Sequence, residues 1–470
     1  MQSSHAASVV DIAFDDPNLI ADAGLVLTVA LAEQVGLPEL VAEHVAIVDA
    51  VNSAGANPAA KVMSLLAGMV AGADSIDDVD RLRHAGNRLA FTGIRAPSTL
   101  GTFLRAFTHG HVQQLNAVLR QMLIRLAERA PILSGTEGEG GDLMVFVDVD
   151  STHRQVYGYA KAGAAVGRHK GKKTLHPLLV TASTPTTAPI VVAARLRKGK
   201  SADVRGAHRL LAEALATVRA IAPTATIVVR ADSKFYTADV AATAARYNAT
   251  VSLTTGTNPS VNAAITGISD AAWTPIHYPN AFVDEDTGEL ISDAQVAEIS
   301  YAAFTGRPKA QQVTGRLIVR RVKRLNPKTA PGQDGLFDTW RHHAVFVTSS
   351  FEMLQAESAH RGHAIVEQVI ADAAASALAH MPSGAFNANA AWTVLWAIAH
   401  NLTRAVGVLA GKAHARATTS TIRAQLINVP ARLARSARRL TLHLPHAWPW
   451  ESAWTLLHAT LHRPPLAPEA

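Results

Sequence analysis

Cysteine is absent from the chain. That absence excludes disulfides, thiolate zinc sites and cysteine nucleophiles, and it fits a reducing cytoplasm, where we expect the protein to act. The opening residues, MQSSHAASVVDIAFDD, lack a basic segment followed by an apolar core, so no signal peptide is expected. The longest apolar stretch, 390–410, carries His400, Asn401 and Arg404, which suits a buried helix better than a membrane span, and we expect no membrane association. Acidic residues are missing altogether from 404 to 450.

What fills that gap is basic: Arg404, Lys412, Arg416, Arg423, Arg432, Arg435, Arg438 and Arg439. A second block holds Arg307, Lys309, Arg316, Arg320, Arg321, Lys323, Arg324 and Lys328. A third combines Arg168, Lys170, Lys172 and Lys173 with Arg195, Arg197, Lys198 and Lys200. Any one block can be a solvated face balanced elsewhere. Three of them, in a chain of net charge +7 and pI near 9.7, make nucleic acid the leading partner class. With 470 residues, 48% of them apolar, the chain can bury a large core in roughly two to four units.

Residues 1–133 read as helices, with apolar residues at helical spacing in 25–35, 62–70 and 112–126. Pro97-Ser98-Thr99 marks a helix start, with Ser98 or Thr99 as its cap. The Gly-rich segment 134–141 predicts a flexible boundary. After it, 143–150 and 225–232 are apolar, β-branched runs that predict buried strands, and further extended runs alternate with helices. The expected fold is therefore an α/β layer structure. We divide it into a first core part (143–256), an all-β insertion (257–344), a second core part (345–411) and a basic C-terminal region (412–470).

Three acidic positions stand out. Asp148 and Asp150, two apart on a strand, share one face near its C-terminal end, and Asp232 ends its own strand in the same way. A carboxylate beside a strand core caps a turn, pairs with a base or holds a metal. Phosphodiester cleavage uses such groups, since two hard cations about 3.5–4 Å apart activate the attacking oxygen and stabilise the leaving one. The third position lies in the run His360-Arg361-Gly-His363-Ala-Ile-Val-Glu367. Its spacing admits a His/His/Glu zinc site, a polar helix face, or Glu367 as a third ligand with His360, Arg361 and His363 facing a phosphate.

Taken in order, these motifs resemble those of DDE insertion-sequence transposases, most of all the group numbered 1380. Asp148-Val-Asp150-Ser151-Thr152 matches the first motif and Arg230-Ala-Asp232-Ser233 the second. The His360–Glu367 run matches the third, and similarity extends from Pro97-Ser-Thr-Leu-Gly101 to Leu444-Pro-His-Ala-Trp-Pro-Trp450. Two departures are visible. Related groups have Tyr and Arg where this chain has His360 and His363, and a Lys where it has Ala374.

The resemblance implies an RNase H-like core, a mixed sheet flanked by helices, with a β-rich insertion. It also implies cleavage at terminal inverted repeats and transfer of the freed ends to target DNA. Asp150, Asp232 and Glu367 are then the metal ligands, with Asp148 the alternative to Asp150, and the cofactor is Mg²⁺ (two ions per site, Mn²⁺ as substitute). Synapsis of two ends implies a homodimer. Expected DNA contacts are Lys198, Lys200, Arg321, Arg324, Arg432, Arg435, Arg438 and Arg439, together with His360, Arg361 and His363. Trp273 is either a core residue or a platform for an unpaired base. The helical N-terminal region is the expected reader of the transposon ends. Ala374 and the two histidines leave open a catalytically inactive DNA-binding descendant, and a host nuclease of the same fold is a further alternative.

Overall fold

The computed structural model describes residues 10–48, 50, 52–135, 143–158, 160–167, 171–256, 258–276, 294–323, 340–437 and 439–462. Ahead of the sheet the described residues form α1 (Leu25–Gln34), α2 (Leu37–His44), α3 (Pro58–Ala71), α4 (Pro97–Arg105) and α5 (His109–Arg129), besides a single helical turn at Asn87–Ala90. Helix α4 begins with Pro97 in its first turn and Ala96 as N-cap, so Ser98 and Thr99 lie inside the helix rather than capping it. Proline suits that place because its missing N–H has no intrahelical partner there. The side-chain cap appears one helix later. Thr108 accepts from the backbone of His111, and the His111 ring accepts from the backbone of Thr108, a reciprocal cap that fixes the start of α5.

Among the described residues the central sheet has nine strands. In chain order they are β1 (Met144–Ser151), β2 (Leu178–Ser183), β3 (Ile190–Arg195), β4 (Thr226–Ala231), β5 (Ala249–Thr254), β6 (Thr274–Ile276), β7 (Ala294–Ala303), β8 (Val313–Lys323) and β9 (Trp340–Val347). Their spatial order is β6-β7-β8-β9-β5-β4-β1-β2-β3. Strands β1, β4 and β5 run parallel, with β1 antiparallel to β2 and β2 antiparallel to β3. Between the strands lie α6 (Ala207–Ile221), α7 (Ala238–Arg246) and α8 (Pro259–Thr266). This is an α/β arrangement, a large mixed sheet flanked by helices, the architecture expected of an RNase H-like core.

The segment 257–344 differs from the expected all-β insertion in two respects. It contains helix α8, and its strands continue the core sheet, because β9 pairs antiparallel with β5 through Val345–Thr254, Phe346–Leu253 and Val347–Ser252. Backbone hydrogen bonding at the β5 edge makes the two parts one surface.

After β9 come α9 (Met353–Arg361), a 3₁₀ turn at Gly362–Ile365, α10 (Val366–Ala374), α11 (Phe386–Leu409) and α12 (Glu451–His462). The helical run breaks at Gly362, just after the Ala359 carbonyl accepts a hydrogen bond from Arg230 Nη1 (2.7 Å). Helix α11 is buried along almost its whole length and packs on α3, α5 and β3. Several of its buried polar groups are bonded by the fold, while His400 Nδ1 and Arg404 Nε have no partner among the described residues. Asn401 bonds both backbone groups of Val191 at 2.8 Å, and Arg404 reaches the carbonyls of Ala415 and Ala417. Among the described residues no single helix is long and apolar enough to cross a membrane.

The two ends of the chain meet. The short strand Leu19–Ile20 pairs with β10 (Ala431–Ser436), which forms a hairpin with β11 (Arg439–His443), and α12 packs on α1. The helical N-terminal region, the core and the C-terminal region share one continuous apolar core.

Candidate active site

Parallel pairing of β1 with β4 sets Asp148 opposite Arg230 and Val149 opposite Ala231. The same register brings Asp150 beside Asp232, just past the end of β4. Both lie where the apolar strand cores run out, at the C-terminal edge of the parallel strands. Asp150 accepts from the backbone N–H of Ser151 at 2.6 Å. Burial pushes its pKa up, and the neighbouring charge of Asp232 adds to that rise. Asp232 is half exposed, with the Lys234 ammonium 4.0 Å from its carboxylate.

Asp148 has a different environment. It is fully buried, and both its oxygens accept from Arg230 at 2.7 Å in a two-pronged ion pair. His363 Nδ1 lies 2.8 Å from the same carboxylate. Burial alone would raise the Asp148 pKa, but the Arg230 charge and the His363 hydrogen bond outweigh it and hold it below the ordinary value. For His363, burial is likewise outweighed by Asp148, and its pKa is raised. Asp148 is thus committed to protein partners.

Glu367 is exposed in the first turn of α10, about one turn beyond His363. His363 is close enough to Asp150 for their charges to act on each other, so the start of α10 sits over the end of β1. His360 turns inward rather than toward a phosphate. Its two ring nitrogens lie 2.9 Å from Ser252 Oγ and Thr254 Oγ1 on β5, and burial first, then the charges of His363 and Arg230, lower its pKa to about 4. Arg361 pairs with Glu357 at 2.9 Å.

Asp203 and Lys234 carry no signal in the sequence, and Arg197 is marked there only as part of a basic block. Asp203, in the loop before α6, accepts from Ser151 Oγ at 2.8 Å and lies 3.2 Å from His176 Nε2. Lys234 and Arg197 each act electrostatically on both Asp150 and Asp203. His176 stacks on His153 with ring centroids 3.9 Å apart, and Arg197 Nη2 is 3.2 Å from its Nε2. Burial, then Arg197 and His153, lower the His176 pKa to about 4. No local pattern marks the Asp203 loop, because its partners come from β1 and from the segment before β2.

Asp150 and Asp232 suit a divalent cation. They offer hard oxygen donors side by side; burial first, and then the Asp232 charge, raise the Asp150 pKa, and a bound cation would offset both. Residues 2–466 match the family described as Transposase DDE domain group 1. The chain belongs to that family. It is a DNA transposase, an enzyme that breaks and joins phosphodiester bonds, with DNA as its partner and divalent metal ions as the usual cofactors of its kind. No curated protein matches the chain. Among solved structures, a piggyBac transposase synaptic complex with hairpin DNA aligns with 95% of this chain and 83% of its own, at 12% identity and a TM-score of 0.40.

The expected DNA contacts fall in three places. Lys198 and Lys200 are exposed, and Lys198 lines a groove of about 380 Å³ with Arg195, Arg197, Arg205 and His109. Arg321 is held between Trp273 and Trp340, its guanidinium 4.1 and 4.4 Å from their ring centroids, so Trp273 already has a cation on its face. Arg432, Arg435 and Arg439 are exposed on the β10–β11 hairpin of the transposase, with Arg432 paired to Asp16 at 3.1 Å. Arg324 and Arg438 lie outside the described residues.

Proposed function

We propose that this transposase follows a cut-and-paste route, cleaving at terminal inverted repeats and joining the freed 3′ ends to target DNA. Asp150, Asp232 and Glu367 are its metal-binding acids. The observation that carries this reading is the adjacency of Asp150 and Asp232 on parallel strands, while Asp148, the rival first ligand, is occupied by Arg230 and His363. The cofactor is Mg²⁺, two ions per site, replaceable by Mn²⁺; when bound, such ions activate the attacking oxygen and stabilise the leaving one. Asp150 and Asp232 supply oxygen donors from a rigid sheet edge, and Glu367 supplies the third from α10. Lys234, beside Asp232, is positioned to meet a phosphate oxygen or to balance the acids in the free enzyme.

DNA runs along basic surfaces, with Lys198 and Lys200 on one side and the β10–β11 hairpin holding the backbone. The helical N-terminal part reads the ends. Synapsis of two ends requires a homodimer, and the enzyme acts in the cytoplasm. The test is nicking of a duplex carrying the repeats that flank the gene. Glu367→Gln, Asp150→Asn and Asp232→Asn should each abolish Mg²⁺-dependent nicking and leave DNA binding intact. Unchanged nicking in these variants would sink the assignment. Binding without metal-stimulated cleavage by the unaltered chain would mark an inactive descendant instead.

A further inference from the structure

A second, more deeply buried set of three residues accompanies the candidate acids in the chain, each at a fixed short offset from one of them. Asp148 precedes Asp150 by two positions on β1, and Arg230 precedes Asp232 by two at the end of β4. His363 precedes Glu367 by four, across the start of α10. Two strand residues span about 6.6 Å and return to the same face. Four residues across a 3₁₀-to-α junction span about 6–8 Å. The second set is bonded to itself: Arg230 grips Asp148 with two hydrogen bonds of 2.7 Å, and His363 meets the same carboxylate at 2.8 Å.

Arg230 is held on every side. Its Nη1 donates to the Ala359 carbonyl at the end of α9, and its guanidinium lies 4.0 Å from the Phe146 ring centroid. Gly362 leaves room for it, since a Cβ there would stand 2.8 Å from Nη1. His360 ties the same helix to β5 through Ser252 and Thr254. The segment that leads into α10 is thereby fastened to β1, β4 and β5 by three separate side chains.

We propose that Asp148, Arg230 and His363 form a buried positioning unit that sets the mutual spacing of Asp150, Asp232 and Glu367. This rests on the assignment of those three acids as metal ligands. None of the unit's members is a catalytic residue. A buried carboxylate shared by a fork-shaped cation and an imidazole has one arrangement that satisfies all its donors, so the three backbone elements have one relative placement. Glu367, which starts a helix after a break, depends on it most.

The experiment uses the full chain and Mn²⁺ alone as probe, followed by electron paramagnetic resonance, with nicking kinetics run in parallel. His363→Leu removes the donor and keeps the bulk, while His363→Asn returns an N–H near the Nδ1 position. Arg230→Lys keeps the charge and loses the fork. His363→Leu and Arg230→Lys should each weaken Mn²⁺ binding about 10- to 100-fold and lower kcat comparably, with KM for DNA unchanged. His363→Asn should recover most of both.

Wild-type Mn²⁺ affinity and kcat in folded His363→Leu and Arg230→Lys, whatever their melting temperatures, would overturn the proposal. So would loss of Mn²⁺ binding in Asp148→Asn while His363→Leu and Arg230→Lys bind normally, which would make Asp148 a ligand. Should His363→Leu fail to fold, the Arg230→Lys and His363→Asn pair carries the same comparison. If Asp150→Asn and Glu367→Gln keep both Mn²⁺ binding and nicking, it is the assignment of the acids that fails.

Discussion

Arg230 and Asp148 face each other across two parallel strands, joined by two hydrogen bonds of 2.7 Å with almost no exposure of either side chain. A pair like this adds little to stability compared with an apolar pair, because both charges must leave water. Breaking it is another matter. The pair therefore separates the acids that hold the fold in register from those free to meet a ligand, and the predictions below follow from that division.

Asp148→Asn should be strongly destabilising, by about 3–5 kcal/mol, because it leaves Arg230 buried without a counter-charge. Asp232, with its side chain half exposed, should tolerate Asn within about 0.5 kcal/mol. Urea midpoints of the two variants check the contrast, and equal losses would contradict it.

Asp150→Asn should stabilise the metal-free protein while removing activity. Burial and the Asp232 charge raise the Asp150 pKa, so its ionised form costs stability in the folded state. The sign follows: as pH rises from 3.8 through the raised folded value, the native state loses stability at this group, and Asn abolishes that loss. Thermal melts of both proteins against pH read the difference.

Divalent cation should reverse the same penalty. At about 100 times its dissociation constant, Mg²⁺ or Mn²⁺ should add about 2.7 kcal/mol to the unaltered protein. Asp150→Asn and Asp232→Asn should show no such gain. A metal-induced shift that survives both substitutions would point to another binding place.

Acidification should weaken the fold between pH 6.5 and 4. His360 and His176 titrate near 4 and His400 near 3 in the folded protein, all lowered mainly by burial. Their folded values lie below the unfolded value of 6.5, so the stability they lend is present above 6.5 and is lost as pH falls toward 4. His360 alone accounts for roughly 3 kcal/mol across that window. His360→Asn should flatten the pH dependence of the denaturation midpoint by that order.

Arg435→Ala combined with Arg439→Ala should weaken DNA binding alike for all sequences. Each lost phosphate contact lowers the slope of log K against log salt by about 0.9, so the double variant should reduce it by roughly 2. An unchanged slope would move the backbone contact elsewhere, to Lys198 and Lys200 first.

Much of this protein was legible in its sequence, because the signals are local. Apolar β-branched runs ending in Asp150 and Asp232 mark strands whose ends are polar, and periods of two and 3.6 separate sheet from helix without any knowledge of neighbours. The family motifs are local as well, and they named the candidate acids. What the sequence did not carry was partnership. Nothing in the run Asp148-Val-Asp150 says which aspartate is spoken for; the parallel register of β1 with β4 decides it, by setting Arg230 against Asp148 and leaving Asp150 at the edge. His360 and His363 look alike in sequence, yet one is bonded into β5 and the other to Asp148. The insertion read as a separate β unit joins the core sheet because the free edge of β5 offers unpaired backbone groups that β9 satisfies. Strand and helix formation depend on a few successive residues. The fate of each buried charge depends on what the fold brings within about 3 Å of it, and tertiary structure alone decides that.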